Sequence, residues 1–200
     1  MNASRGKGCL MALAGLVAVS GLFMVVRFYG GKWLDQYERP WAYSTTEPLL
    51  VGQWEGRFND PDGVPKSLRI TIDLPETDEE RWQQARRKRR LRNGRNKGGF
   101  DGTATVTSRL GREDYEIYGV VDRQNDHRFS LNFDAVDGRF AITPNFYIND
   151  TDKTGNQWAG DQLDVRLEFA YHLPGRTWSN SADPRFSRKV PVRLHRVTNQ

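Results

Sequence analysis

Residues 163–173 read LDVRLEFAYHL, in which Leu163, Val165, Leu167, Phe169 and Tyr171 alternate with Asp164, Arg166, Glu168, Ala170 and His172. Successive side chains of a β-strand point to opposite faces, so this period of two marks a strand with one face buried and the other in water. The pattern recurs in both directions along the chain. Ser67–Leu74 sets Leu68, Ile70, Ile72 and Leu74 against Arg69, Thr71 and Asp73, and Arg128–Ala135 sets Phe129, Leu131 and Phe133 against Ser130, Asn132 and Asp134. Further strands fit Leu50–Phe58, Gly102–Leu110, Tyr115–Asp122, Arg139–Ile148 and Val190–Val197, with turn sequences such as Asp60-Pro61-Asp62-Gly63 and Asp137-Gly138 between them.

Eight short-turn antiparallel strands predict a mainly β fold, a single eight-stranded barrel, because curling the sheet on itself removes its exposed edges. The expected inward residues (Trp54, Leu68, Ile70, Ile72, Phe129, Phe133, Phe140, Phe169 and Tyr171) are large and predict a filled or narrow interior. An outer-membrane barrel is the rival, and the absence of clear aromatic girdles and the Arg-rich insertion count against it.

The chain has 200 residues, which suits one domain, and a single cysteine, which excludes an internal disulfide framework or a Cys-rich metal site. Net charge is +5, yet nine basic residues and no acid lie between Arg81 and Lys97, so the remainder is net acidic. Thr77-Asp78-Glu79-Glu80 resembles a capping box, and Asn93-Gly94 supplies a stop, so a surface helix is expected over about residues 78–92, inside an insertion at 76–99. Arg86, Arg87, Lys88, Arg89, Arg90, Arg92, Arg95 and Lys97 form the candidate anionic-surface contact, the alternative being a merely solvated helix.

Cys9–Val26 holds eighteen uncharged residues between Arg5 and Lys7 on one side and Arg27 on the other. It predicts an N-terminal membrane anchor within residues 1–29, with a cleaved signal peptide ending at Ala18-Val19-Ser20 as the other reading. The basic flank ahead of it predicts a cytoplasmic amino terminus and an extracytoplasmic domain. Residues 30–48 form a linker in which Trp33, Tyr37 and Trp41 share a helical face until Pro40 breaks it, and 49–198 form the barrel.

Gly52-Gln53-Trp54, followed by Glu55-Gly56 on the first strand, resembles the G-x-W signature of calycins, the lipocalin-like barrels. The resemblance implies that Trp54 closes one barrel end with an Arg of the last strand, Arg193 or Arg196, across it, and that the barrel takes a small apolar ligand. It extends over residues 49–198, from which the basic insertion departs.

Other chemistry is thin. Asp150, Asp152, Thr154 and Asp161 have the oxygen spacing of a calcium loop, but Lys153 and the missing terminal Glu fit a polar turn better. His127, His172 and His195 lack metal-ligand spacing, and the latter two are expected on solvated faces. Trp158 and Trp178 suit either sugar stacking or loop packing. No cofactor and no catalytic constellation is read. The expected protein is a membrane-anchored, extracytoplasmic β-barrel with a binding or structural role in the cell envelope. Its partners are anionic lipid headgroups or an envelope polyanion, in preference to nucleic acid. A carrier of a small apolar ligand, or an envelope enzyme with scattered catalytic residues, are the alternatives.

Overall fold

The computed structural model describes residues 15–26, 30, 37–45, 49–75, 98–136, 145–173, 176–178 and 183–197. Ten strands follow two helical segments: α1 (15–26), α2 (Pro40–Tyr43), β1 (Gly52–Asn59), β2 (Pro65–Ile72), β3 (Gly99–Ser108), β4 (Gly111–Val121), β5 (Phe129–Ala135), β6 (Asn145–Thr151), β7 (Gln157–Ala159), β8 (Gln162–Leu173), β9 (Arg176–Trp178) and β10 (Val190–Arg196). All form one antiparallel sheet in the order β5-β4-β3-β2-β1-β10-β8-β6, with β7 and β9 added along β8. From β5 to β1 each neighbour in that order is also a neighbour in the chain, β10–β8 and β8–β6 each skip one short strand (β9 and β7), and β1 pairs with the last strand, β10. The result is a curled half-barrel built from all eight expected strands.

The alternation read from the sequence sets its inner face. Trp54, Leu68, Ile70, Ile72, Phe100, Val106, Ile117, Leu131, Leu163, Leu167 and Leu194 are buried in one cluster. Phe129, Phe133 and Phe169 join it as expected, Tyr171 packs at its margin, and Phe140 lies outside the described residues. Leu74 does not join: β2 ends at Ile72 and Leu74 is 56% exposed. The outer face carries crossed ion pairs such as Arg193–Asp164 and Lys189–Glu168, each worth at most about 1 kcal/mol in water.

Sheet edges β5 and β6 share no ladder among the described residues, so in place of the expected closed barrel there is a half-barrel whose edges meet only through isolated contacts. Arg128 and Gln157 form a single bridge, the Trp158 amide donates to His127 O at 3.0 Å, and the Thr151 hydroxyl donates to Leu131 O. The two unforeseen strands, β7 and β9, are three residues each, too short to show a period.

Pro40 does interrupt the helical stretch, with Arg39 at φ −136° and ψ 60°, but it also starts α2, since proline at the first helical turn loses no hydrogen bond. The rings separate at that break: Tyr37 is exposed, whereas Trp41 is buried edge-on to Phe100 at 5.9 Å. Residues 15–26 are helical and exposed throughout. Among the described residues no helix is long and apolar enough to cross a membrane, and residues 9–14 of the apolar run lie outside them. So does most of the insertion: of residues 76–99, Gly98 and Gly99 are described, and Gly99 already belongs to β3.

Gly119 on β4 marks a tight place in the wall, between a ring and a neighbouring strand. A Cβ there would overlap the Phe100 ring and the Ser130 carbonyl. Gly119→Ala is expected to cost about 2 kcal/mol by overpacking, read as a lower urea midpoint at unchanged slope for the full chain in micelles.

Candidate functional site

Each end of the half-barrel carries a constellation of polar side chains. At the first end, where β2, β4 and β10 finish, Arg196 lies across Trp54 with its guanidinium carbon 4.3 Å from the ring centroid. Its Nη1 donates to Val51 O at 3.0 Å, its Nη2 to Leu49 O, and its Nε to Asp161 at 3.0 Å. Trp54 Nε1 donates to Leu50 O at 2.9 Å. A cation-π contact and charge-assisted bonds thus clamp the chain entering β1. The expected clasp on Trp54 exists, but Arg196 makes it. Arg193 is on the opposite face, paired with Asp164, because Trp54 registers with Arg196 and β10 buries Val190, Val192 and Leu194.

The same end gathers the root of the basic segment. Tyr43 at the end of α2 donates to Pro75 O at 2.8 Å, and the Val121 amide donates to Gly98 O at 2.8 Å. The segment's two flanks and the chain arriving from the amino terminus are therefore tied to one pole. Arg86, Arg87, Lys88, Arg89, Arg90, Arg92, Arg95 and Lys97 themselves lie outside the described residues.

At the second end, Lys66 points inward. Its side chain is 1% exposed, and its ammonium meets Glu113 at 3.0 Å, Asp60 at 3.8 Å and the carbonyl of Phe146. Glu113 also accepts from Asn145 Nδ2 at 3.2 Å and from the Tyr115 hydroxyl at 2.7 Å. Asp60 caps its turn by accepting the amides of Asp62 and Val64. Burial, and then the Glu113 carboxylate beside it, push the Tyr115 phenol well above its ordinary value, while the Ile148 amide bonds to the phenol oxygen. Lys66 and Tyr115 thereby satisfy main-chain groups on the edge of β6 that no strand pairs with among the described residues. Above them, Phe186 packs on Phe146 at 5.3 Å, and Arg185 binds Asp62 and Asp183 at the surface. Chemically, the cluster sets one buried cation between two buried carboxylates.

Lys66 was missed as a site residue, although it carries the parity of Leu68, Ile70 and Ile72 and so belongs to the inner face. The remaining candidates disperse. Asp152 is held at about 2 by the Thr154 hydroxyl and amide and by Lys189, Asp161 serves Arg196, and Asp150 accepts the Thr151 amide. β7 runs through this stretch, so Asp150, Asp152, Thr154 and Asp161 make a turn and a strand, and no group of three acidic, His or Cys side chains suited to a metal occurs among the described residues. His172, expected in water, is buried beside Tyr147, and burial lowers its pKa below the usual histidine value. His195 and His127 are exposed, the latter against Trp158, whose indole N–H donates to Asp126 O, the packing role. The side chain of Trp178 lies outside the description. Comparison with protein-family models, with curated proteins and with solved structures found no match.

Two outcomes test the second end. Lys66→Met is expected to cost about 3 kcal/mol or more, because Glu113 and Asp60 stay buried without their cation, and adding Glu113→Gln should recover part of it in urea titrations. A phenol raised in the fold stabilises fully below its unfolded value of about 10 and loses that contribution as pH climbs through the folded value. Thermal midpoints should therefore fall more steeply above pH about 10 in the wild type than in Tyr115→Phe.

Proposed function

We propose that the protein is held at a membrane by its N-terminal apolar segment and presents a half-barrel outside the cytoplasm. The pole nearest that segment, armed with Arg86, Arg87, Lys88, Arg89, Arg90, Arg92, Arg95 and Lys97, contacts an anionic, phosphate-bearing surface. The role is binding or structural, in the cell envelope. One observation supports this above the others: the Tyr43–Pro75 hydrogen bond roots the basic segment beside the chain that comes from the apolar run. A cation near an anionic leaflet is worth about 1 kcal/mol, and only within a Debye length of about 10 Å. Placing the charges at the tethered pole is what makes such contact attainable. The full exposure of the apolar residues 15–26 supports the same reading, since such a surface in water wants a cover. An interior occupied by Trp54, Phe100, Phe146 and the aliphatic rows supports a scaffold over a carrier of apolar ligands.

The test uses the full chain in two assays. Alkaline carbonate should leave it in the membrane pellet, and recovery of intact chain in the supernatant removes the anchor. Vesicles of phosphatidylcholine with added phosphatidylglycerol should bind detergent-diluted protein more tightly than phosphatidylcholine alone. Changing the eight basic residues to Ser should erase that difference, roughly tenfold or more at low salt. Equal binding by both forms rejects the electrostatic part. A reporter at the carboxyl terminus fixes the side.

A further inference from the structure

Two basic side chains that the fold buries meet opposite fates. Lys66 has three acceptors around its ammonium. Arg39 is 4% exposed, and neither its Nε nor its Nη1 has an acceptor among the described residues. Two residues on, the buried indole N–H of Trp41 also lacks one. Burying a guanidinium without a counter-charge is strongly unfavourable, and so is sealing N–H donors away from water.

The backbone holds Arg39 in place. Its carbonyl accepts the amides of Ala42 at 3.0 Å and Tyr43 at 3.1 Å, and the Leu50 amide donates to Trp41 O at 2.8 Å. Trp41 is wedged against Phe100, and Tyr43 reaches Pro75. The unpaired, buried donors therefore sit on a fixed turn, at the pole where the amino-terminal stretch and the flanks of the basic segment join the sheet. Guanidinium is the side chain best matched to oxyanions, through several N–H donors in one plane.

We propose that Arg39 is the centre of an oxyanion site that takes a phosphate group, either from a lipid headgroup or as free phosphate. The site itself stands apart from the membrane reading, and only a lipid source rests on it. The turn Arg39–Tyr43 then does more than plug the sheet: it senses whether phosphate is present at the tethered pole.

The experiment follows thermal unfolding of the full chain in maltoside micelles in a chloride buffer. Inorganic phosphate, or short-chain phosphatidylglycerol added to the micelles, is expected to raise the midpoint by about 3 °C or more at saturation, whereas chloride at equal ionic strength is not. A shift with inorganic phosphate marks free phosphate as a ligand, and a shift with the phospholipid alone marks the headgroup. Arg39→Met should abolish the shift while leaving the chloride midpoint unchanged or higher, because it removes an unpaired buried charge. Phosphorus NMR of inorganic phosphate or of the phospholipid should show broadening by the wild type and none by Arg39→Met. The proposal is overturned if neither ligand moves the wild type, or if Arg39→Met lowers the chloride midpoint, which would mean that an acid of this chain already pairs the guanidinium. Serine at all eight basic positions from Arg86 to Lys97 should keep the phosphate shift, and loss of the shift there assigns the phosphate to the basic segment instead. Because that variant also erases the vesicle preference described above, the two readings fail separately.

Discussion

A curled sheet whose last seam carries no ladder among the described residues leaves main-chain groups of β6 to be met by side chains, and the ammonium of Lys66 is the first of these. It donates to Phe146 O from across the interior, while Tyr115 receives the Ile148 amide, so two side chains stand where a partner strand is missing. The arrangement demands a buried charge, which in turn demands Glu113 and Asp60 around it. Those carboxylates then recruit Asn145 and the turn amides at Asp62 and Val64. One end of the molecule is thus organised by the cost of an open edge.

At the other end a different cation has the corresponding place. Arg196 covers Trp54 and holds the carbonyls of Leu49 and Val51, fixing where the chain turns into β1. With the entry point fixed, α2 can press Trp41 onto Phe100 and Tyr43 onto Pro75. The chain entering from the amino terminus and the two flanks of the basic segment, Pro75 and Gly98, are thereby brought to one end of the sheet. A polarity is built into the half-barrel: one pole buries a lysine between two carboxylates, and at the other an arginine clasps the chain entering β1.

Much of this was legible in the chain. Alternation in Ser67–Leu74, Arg128–Ala135 and Leu163–Leu173 located strands because a half-buried sheet allows only one parity to be apolar. Leu74 misled because the pattern ran past the last paired residue, and nothing in a period says where pairing stops. His172 misled for the reason that β6 and β9 flank the end of β8, where Ala170 and Tyr147 are buried as well. Arg193 and Arg196 were distinguishable in principle: Arg196, two residues on from Leu194, shares its inner face, whereas Arg193, one residue away, lies on the outer. Lys66 was visible by the same count, but a lysine at an apolar parity is ordinarily read as a strand end, and only an opposing carboxylate reveals otherwise.

By itself the sequence determined the β class, the strand positions, the turn at Asp60–Gly63 and the separation of charge into one window, because these follow from local periodicity, turn chemistry and composition. Tertiary structure alone decided that Arg196 reaches the carbonyls of Leu49 and Val51, that Lys66 meets the β6 edge, and that the flanks of the basic segment lie at the pole where the amino-terminal chain arrives. Those relations join residues far apart in the chain, and their energies come from burial and opposing charge, which exist only once the sheet has curled.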